Sequence, residues 1–194
     1  MKINNYYIHR VNDIDSLENV SNQFGIEIDL RYENEEIILN HDPFLSGTDF
    51  RIFLKKYNHN GIILNCKSEG IENKILKILK DFNITNFFFL DLSIPFLIKT
   101  SNSGCKQIAV RFSEYEPIDF VKKYKDVCNW VWIDSFSGNY FDKNIIKTLS
   151  KNFKICLMSP ELRGFDKKII DDLKIRYKNI EFNGICTKNP DLWM

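Results

Sequence analysis

The chain lacks several things that would each have named a function class. It has no CxxC pair; its five cysteines are odd in number and far apart. That pattern reads as free thiols in a reducing compartment rather than a disulfide framework or a zinc cluster. Met1-Lys2-Ile3-Asn4-Asn5 has no apolar core of a secretory signal, and no stretch approaches the roughly 20 apolar residues of a membrane helix. The expectation is a cytoplasmic protein that does not enter a membrane. There is no excess of one charge either: 27 basic residues face 26 acidic ones, for a net charge of +1. No overall field draws nucleic acid, so affinity for an anion must come from a local site. No charge block or low-complexity linker divides the chain. Ser159-Pro160-Glu161 lacks the GxSxG setting of a serine nucleophile.

What is present is a core and a rhythm. Hydrophobic residues make up 44% of the 194 and aromatics 14%, enough for one sizeable domain. Eight short apolar runs are strand candidates: 6–10, 25–30, 62–67, 87–91, 108–112, 130–134, 155–159 and 184–187. Most are continuous, as in Phe87-Phe88-Phe89-Leu90, the signature of strands buried on both faces of a parallel sheet. Cys66, Cys156 and Cys186 fall in such runs and read as small packing groups, as do Trp130 and Trp132. Amphipathic stretches fill the gaps. Helices are expected near 48–57 and over 71–82, 117–127, 142–151 and 167–178, two of them opened by Pro117 and Asp142. Residues 31–40 suggest a hairpin excursion. Strand and helix in alternation, eight times over, predict an α/β fold: a (β/α)8 TIM barrel filling 1–194 as one domain, or a doubly wound sheet.

Polar residues collect where these strands end. His9-Arg10 closes the first, Glu27 and Asp29 the second, Asn65 and Lys67 the third. Asp91, Arg111, Asp134 and Glu161 stand at or just past later ends, and the excursion ends at His41-Asp42. In a barrel the C-terminal strand ends converge on one face, where active sites lie. Alternation points Glu27 and Asp29 the same way, opposite Ile26, Ile28 and Leu30. Two carboxylates held together repel, and a hard cation relieves that. His9 and His41 are two of only three histidines, suited to proton transfer near neutral pH. Arg10 and Lys67 are suited to phosphate oxygens. His59 precedes the third strand and reads as a surface residue.

In order, His9-Arg10, Leu17-Glu18-Asn19, Gly25-Ile26-Glu27-Ile28-Asp29-Leu30 and His41-Asp42-Pro43 resemble the glycerophosphodiester phosphodiesterase family of phospholipase C-like barrels. The end, Gly184-Ile185-Cys186-Thr187 with Pro190-Asp191-Leu192, looks like that family's last strand. The resemblance implies a phosphoric diester hydrolase with His9 and His41 as the acid–base pair. It implies Glu27 and Asp29 as ligands of a divalent ion (Mg²⁺, Ca²⁺ or Mn²⁺) and Arg10 as a phosphate contact. Asp91, Arg111, Asp134 and Glu161 are further candidate substrate contacts. The chain departs from the family pattern at four places. Val11 stands for a glycine, Val20 for a threonine and Lys188 for an aspartate. Asn65 stands where the family has a third metal carboxylate, so it is expected to offer an uncharged amide oxygen. The expected substrate is a small phosphodiester, glycerophosphodiester-like or nucleoside-diphosphate-alcohol-like. The alternative is a non-catalytic or catalytically altered barrel that binds a phosphorylated sugar or nucleotide. A Schiff-base role for Lys67 leaves the paired histidines and Glu-x-Asp unexplained. The oligomeric state has no signature in the sequence.

Overall fold

Continuous apolar runs leave a strand no solvent face, and the structure places them accordingly. Ile62, Ile63, Leu64, Phe88, Phe89, Val131 and Ile155 are fully buried. Each such side chain contributes about 1.5–3 kcal/mol by leaving water.

The computed structural model describes residues 1–194. Its first half runs β1 (Lys2–Ile3), β2 (Tyr6–Ile8), α1 (Ile14–Glu18), β3 (Gly25–Glu33), β4 (Glu36–Leu39), β5 (Thr48–Asp49), α2 (Phe50–Leu54), β6 (Ile62–Cys66), α3 (Glu72–Asp81), β7 (Phe87–Leu90) and α4 (Ile94–Asn102). Then come β8 (Ala109–Phe112), α5 (Ile118–Lys122), β9 (Trp130–Ile133), α6 (Lys143–Leu149), β10 (Lys154–Met158), α7 (Lys168–Arg176), β11 (Glu181–Phe182) and β12 (Gly184–Thr187). Single 3-10 turns cover Pro160–Arg163 and Pro190–Leu192. No helix is long and apolar enough to cross a membrane.

The elements cluster into two compact units. In Tyr7–Cys105, β3 pairs in parallel with β2 and β6, and β6 with β7. The far end of β3 folds back antiparallel on β4, which pairs with β5. This is the expected hairpin. Its turn residues Asn34 and Glu35 both have positive φ, 46° and 66°, the left-handed pair that matches the twist of tight hairpins. Gly25 is required at the start of β3: a Cβ there would lie 2.5 Å from the Tyr7 ring and 2.9 Å from the Gly61 carbonyl oxygen.

The second unit is Met1–Tyr6 with Lys106–Met194. There β8, β9, β10 and β12 form a parallel sheet in that order, and β1 pairs with β11. Within neither unit does the sheet close on itself. What holds of the sequence reading is the mixed α/β architecture of parallel strands with helices between them.

Local chemistry sets the helix starts. Asp13, Asp49 and Asp142 each accept a backbone N–H of the first turn, Ser16 at 2.7 Å, Ile52 at 2.8 Å and Asn144 at 2.7 Å. The helix over 117–127 is shorter than expected. Pro117 is its cap, and after Lys122 the chain tightens into turns with Tyr124 N–H bonded to Val121. Trp130 and Trp132 are buried. His59 is half-buried rather than on the surface, its Nε2 3.0 Å from the Val20 carbonyl oxygen.

Candidate active site

Eight of the polar residues singled out above lie in the Tyr7–Cys105 unit. They are linked by direct contacts. Strand β3 carries Glu27, Asp29 and Arg31 on one face by simple alternation. Parallel pairing sets Asp29 beside Asn65 of β6. Both carboxylates are buried, at 1% and 0% exposure, and Asn65 is at 7%.

Each carboxylate is gripped. Glu27 Oε2 accepts the Arg10 backbone N–H at 2.8 Å, and Oε1 accepts the Asn65 amide at 2.9 Å. His9 Nε2 lies 3.8 Å from Glu27 Oε2. Asp29 exchanges two bonds with Asn12: the Asn12 amide donates to Oδ2, and the Asp29 N–H donates to Asn12 Oδ1, both at 2.8 Å. Lys67 Nζ sits 3.4 Å from Asp29 and 3.8 Å from Asp91, and Arg10 Nε 4.0 Å from Asp29. Burial, and next the Asp29 carboxylate, push the Glu27 carboxyl well above the usual carboxylate range. The Asn65 amide, the Arg10 N–H and Lys67 oppose that rise.

The second histidine is reached through Arg10. Its guanidinium is 2.6 Å from His41 Nε2. Arginine only donates, so Nε2 accepts, and Nδ1 carries the proton that it donates to Asp42 Oδ1 at 2.8 Å. This arrangement turns the Nε2 lone pair of His41 toward Arg10. Arg10 and Asp91 both hold left-handed backbone, φ 58° and 59°, a conformation uncommon for such residues and often met at functional sites.

The donor set fits a hard cation. Of the oxygens of Glu27, Asp29 and Asn65, Oδ1 of Asp29, which faces Lys67 Nζ at 3.4 Å, and Oδ1 of Asn65 are buried without a hydrogen bond. No cluster of three or more His, Cys, Asp or Glu side chains is arranged to hold a metal, so a cation here would lean on the Asn65 oxygen as its third protein donor.

Arg111, Asp134 and Glu161 belong to the other unit, and internal bonds occupy them. Fully buried Asp134 accepts Arg163 Nε at 2.8 Å and Nη2 at 2.6 Å, and also pairs with Arg111. The acids that follow Arg111 along the chain are Glu114 and Glu116. Glu114 instead binds the hydroxyls of Ser135 and Ser137, and Glu116 that of Ser113. Glu161 accepts from Ser159, Thr187 and the Lys188 N–H.

Sequence reasoning passed over Asn12, Arg31 and Arg163. Arg31 was within reach, because it shares the parity of Glu27 and Asp29. Asn12 has no such signal: its contact depends on how the turn after Arg10 folds.

No family model matches the chain. Among curated proteins it is similar to the octanoyltransferase LipM of Clostridioides difficile (strain 630), 25% identical over 167 residues. That match covers 84% of this chain and 55% of the relative, so the chain spans about half the relative's length. Solved structures are similar over nearly the whole chain. A glycerophosphodiester phosphodiesterase from Agrobacterium tumefaciens str. C58 superposes with a TM-score of 0.69 at 12% identity, covering 100% of this chain and 99% of that one. The Thermotoga maritima glycerophosphodiester phosphodiesterase gives 0.67 at 14%, covering 97% and 96%. An Oleispira antarctica phosphodiesterase in complex with the product sn-glycerol-3-phosphate gives 0.71 at 13%, covering 97% and 94%. The chain has the fold of the glycerophosphodiester phosphodiesterases.

Proposed function

We propose that this protein is a phosphoric diester hydrolase built as one (β/α)8 barrel over residues 1–194, acting on a small phosphodiester in a reducing compartment. The observation that carries the reading is the contact chain His9–Glu27–Arg10–His41, with Asp29 and Lys67 beside it. The fold shared with phosphodiesterases supports it.

Arg10 and Lys67 bind the phosphate. When phosphate oxygens take the Arg10 guanidinium, His41 Nε2 loses its donor and presents a bare lone pair. That nitrogen takes the proton of the attacking oxygen, from water or from a hydroxyl of the substrate. The new P–O bond forms, the bond to the departing alcohol breaks, and His9 gives that alkoxide its proton. If a substrate hydroxyl attacks, the product is a cyclic phosphate, which water then opens with the roles exchanged: His9, now neutral, takes the proton of water, and His41 returns its proton to the departing hydroxyl. Glu27, Asp29 and Asn65 would hold a divalent cation, Mg²⁺, Ca²⁺ or Mn²⁺. Bound there, such an ion supplies positive charge against the phosphoryl oxygens.

The test is a panel of glycerophosphoalcohols, nucleoside-diphosphate alcohols and bis(p-nitrophenyl) phosphate, with and without each metal. Hydrolysis that chelator lowers and metal restores is the expected result. Hydrolysis indifferent to chelator would assign charge neutralisation to Lys67 and Arg10 alone. No turnover of any diester would overturn the reading.

Asn65 favours a second reading, a barrel that binds a phosphorylated sugar or nucleotide without turning it over. Calorimetry showing such binding with neither metal uptake nor hydrolysis would select it. The name of the octanoyltransferase relative raises acyl transfer, and a cysteine nucleophile for it would have to be a reactive thiolate. Four of the five cysteines are buried. Burial pushes the Cys128 thiol up to about 12 and that of Cys66 well above its ordinary value, away from the thiolate such chemistry needs.

A further inference from the structure

Arg31 reaches two segments that the candidate chemistry needs held together. Its Nη2 and Nε both donate to the His41 carbonyl oxygen, at 2.6 and 3.2 Å, and its Nη1 to the Lys67 carbonyl oxygen at 3.5 Å. The first carbonyl belongs to the loop that follows β4; the second lies just past the end of β6.

Neither segment is fixed by sheet pairing at that point. The β3–β4 ladder ends at Leu30–Leu39, and the β3–β6 ladder at Leu30–Cys66. The His41 loop has its own brace, Asn40, whose amide donates to the carbonyls of Leu45 and Ser46 and whose oxygen accepts the Asp42 N–H. That brace shapes the loop but does not attach it to β6. The Lys67 segment is tied to β3, through the Lys67 N–H to the Leu30 carbonyl at 2.8 Å and the Tyr32 N–H to the Ser68 hydroxyl at 3.2 Å, but neither bond reaches the His41 loop.

We propose that Arg31 is a positioning residue, which clamps the backbone of His41 to that of Lys67 and so sets the distance between the proton-transferring imidazole and the phosphate-binding ammonium. The inference rests on the phosphodiesterase reading for its catalytic consequence. The planar guanidinium offers donors in a rigid fork and grips two carbonyls at once. A lysine here would offer three donors on one flexible point charge, without the rigid fork that fixes two carbonyls at a set spacing. Positional errors near 1 Å in a reacting group cost about a hundredfold in rate, so a clamp between two loop segments has leverage on kcat without touching substrate.

The experiment uses the full chain with Arg31→Lys and Arg31→Gln. Turnover of bis(p-nitrophenyl) phosphate gives the first readout. In Arg31→Gln, kcat is expected to fall about tenfold to a hundredfold with KM changed less than about threefold. Arg31→Lys is expected to fall between the two and guards against a Gln variant that fails to fold. The second readout is independent of activity. The Asp42 and Ser68 amides share peptide groups with the two gripped carbonyls, so their ¹H–¹⁵N signals report the clamp directly. Both are expected to move or broaden together in each variant, while amides of the β8–β10 sheet stay in place. Unmoved Asp42 and Ser68 signals, or kcat equal to wild type, would overturn the proposal. If the wild-type protein hydrolyses no diester, the parent reading fails alone, and the amide signals still decide whether Arg31 couples the two segments.

Discussion

The side-chain amide of Asn65 donates to Oε1 of Glu27 at 2.9 Å, from the position paired with Asp29 on the neighbouring strand. A donor therefore stands where a third acidic group would complete a cation cage. It lets two buried carboxylates coexist without an ion, since it satisfies one oxygen directly.

Asn65→Glu should exchange that arrangement for metal dependence. Three carboxylates in one buried place repel, so the metal-free variant is expected to melt below wild type. Added Mg²⁺ or Ca²⁺ should restore the melting temperature, and calorimetry should show at least about tenfold tighter binding, as expected when a charged oxygen ligand replaces a neutral one. Unchanged affinity would show that Asn65 does not face the ion.

His9→Ala and His41→Ala should each lower turnover by about 10²- to 10⁴-fold, the usual range for removing a general acid or base. Their circular dichroism and melting curves should stay near wild type, because both side chains keep partial contact with solvent, 16% and 38% exposed. Full activity in either variant against a diester that wild type cleaves would remove that histidine from the mechanism.

Asp134→Ala should cost stability rather than chemistry. It strips the shared partner from Arg111 and Arg163, and removing one side of a buried ion pair costs about 3–5 kcal/mol. Denaturant unfolding reads the loss. A change below about 1 kcal/mol, the scale of a surface pair, would mean that the arginines find other acceptors.

Glu114 gives a pH signature. Partial desolvation raises its carboxyl. Hydrogen bonds from the hydroxyls of Ser137 and Ser135 and from the Phe136 N–H outweigh that and bring it down to about 2. A carboxyl lowered in the folded state adds stability that is complete above its ordinary value of 4.5 and fades as pH falls toward 2. The melting-temperature gap between wild type and Glu114→Gln should thus be constant above about pH 5.5 and shrink on acidification. A gap that widens toward low pH would contradict the assignment.

Much of this was legible in the sequence for a plain reason. Runs such as Phe87–Leu90 and Ile62–Leu64 have one stable place, a sheet covered on both faces, and Gly184–Thr187 has the bounds expected of it. The pairing of Glu27 with Asp29 followed from alternation alone. Helix α4 was not legible, because two of its three buried positions, Thr100 and Ser101, are polar, so no apolar stripe marks it. The two-residue strands β1 and β11 carry no periodicity to read. The pairing of Arg111 with Asp134 was not legible, because that acid is distant in sequence and close only in space. Glu114 and Glu116 lie near along the chain, but the next strand brings Asp134 alongside.

The left-handed turn at Arg10 makes one residue grip from both ends, its backbone on the acid and its side chain on the imidazole. A survey of side-chain replacements is blind to half of that grip. Alanine or lysine at position 10 deletes the hold on His41 and leaves the amide on Glu27 untouched. Only an ester in place of the peptide exposes the other half, because proline cannot adopt this left-handed φ, so tolerance of substitution at this position would understate how much the site depends on it.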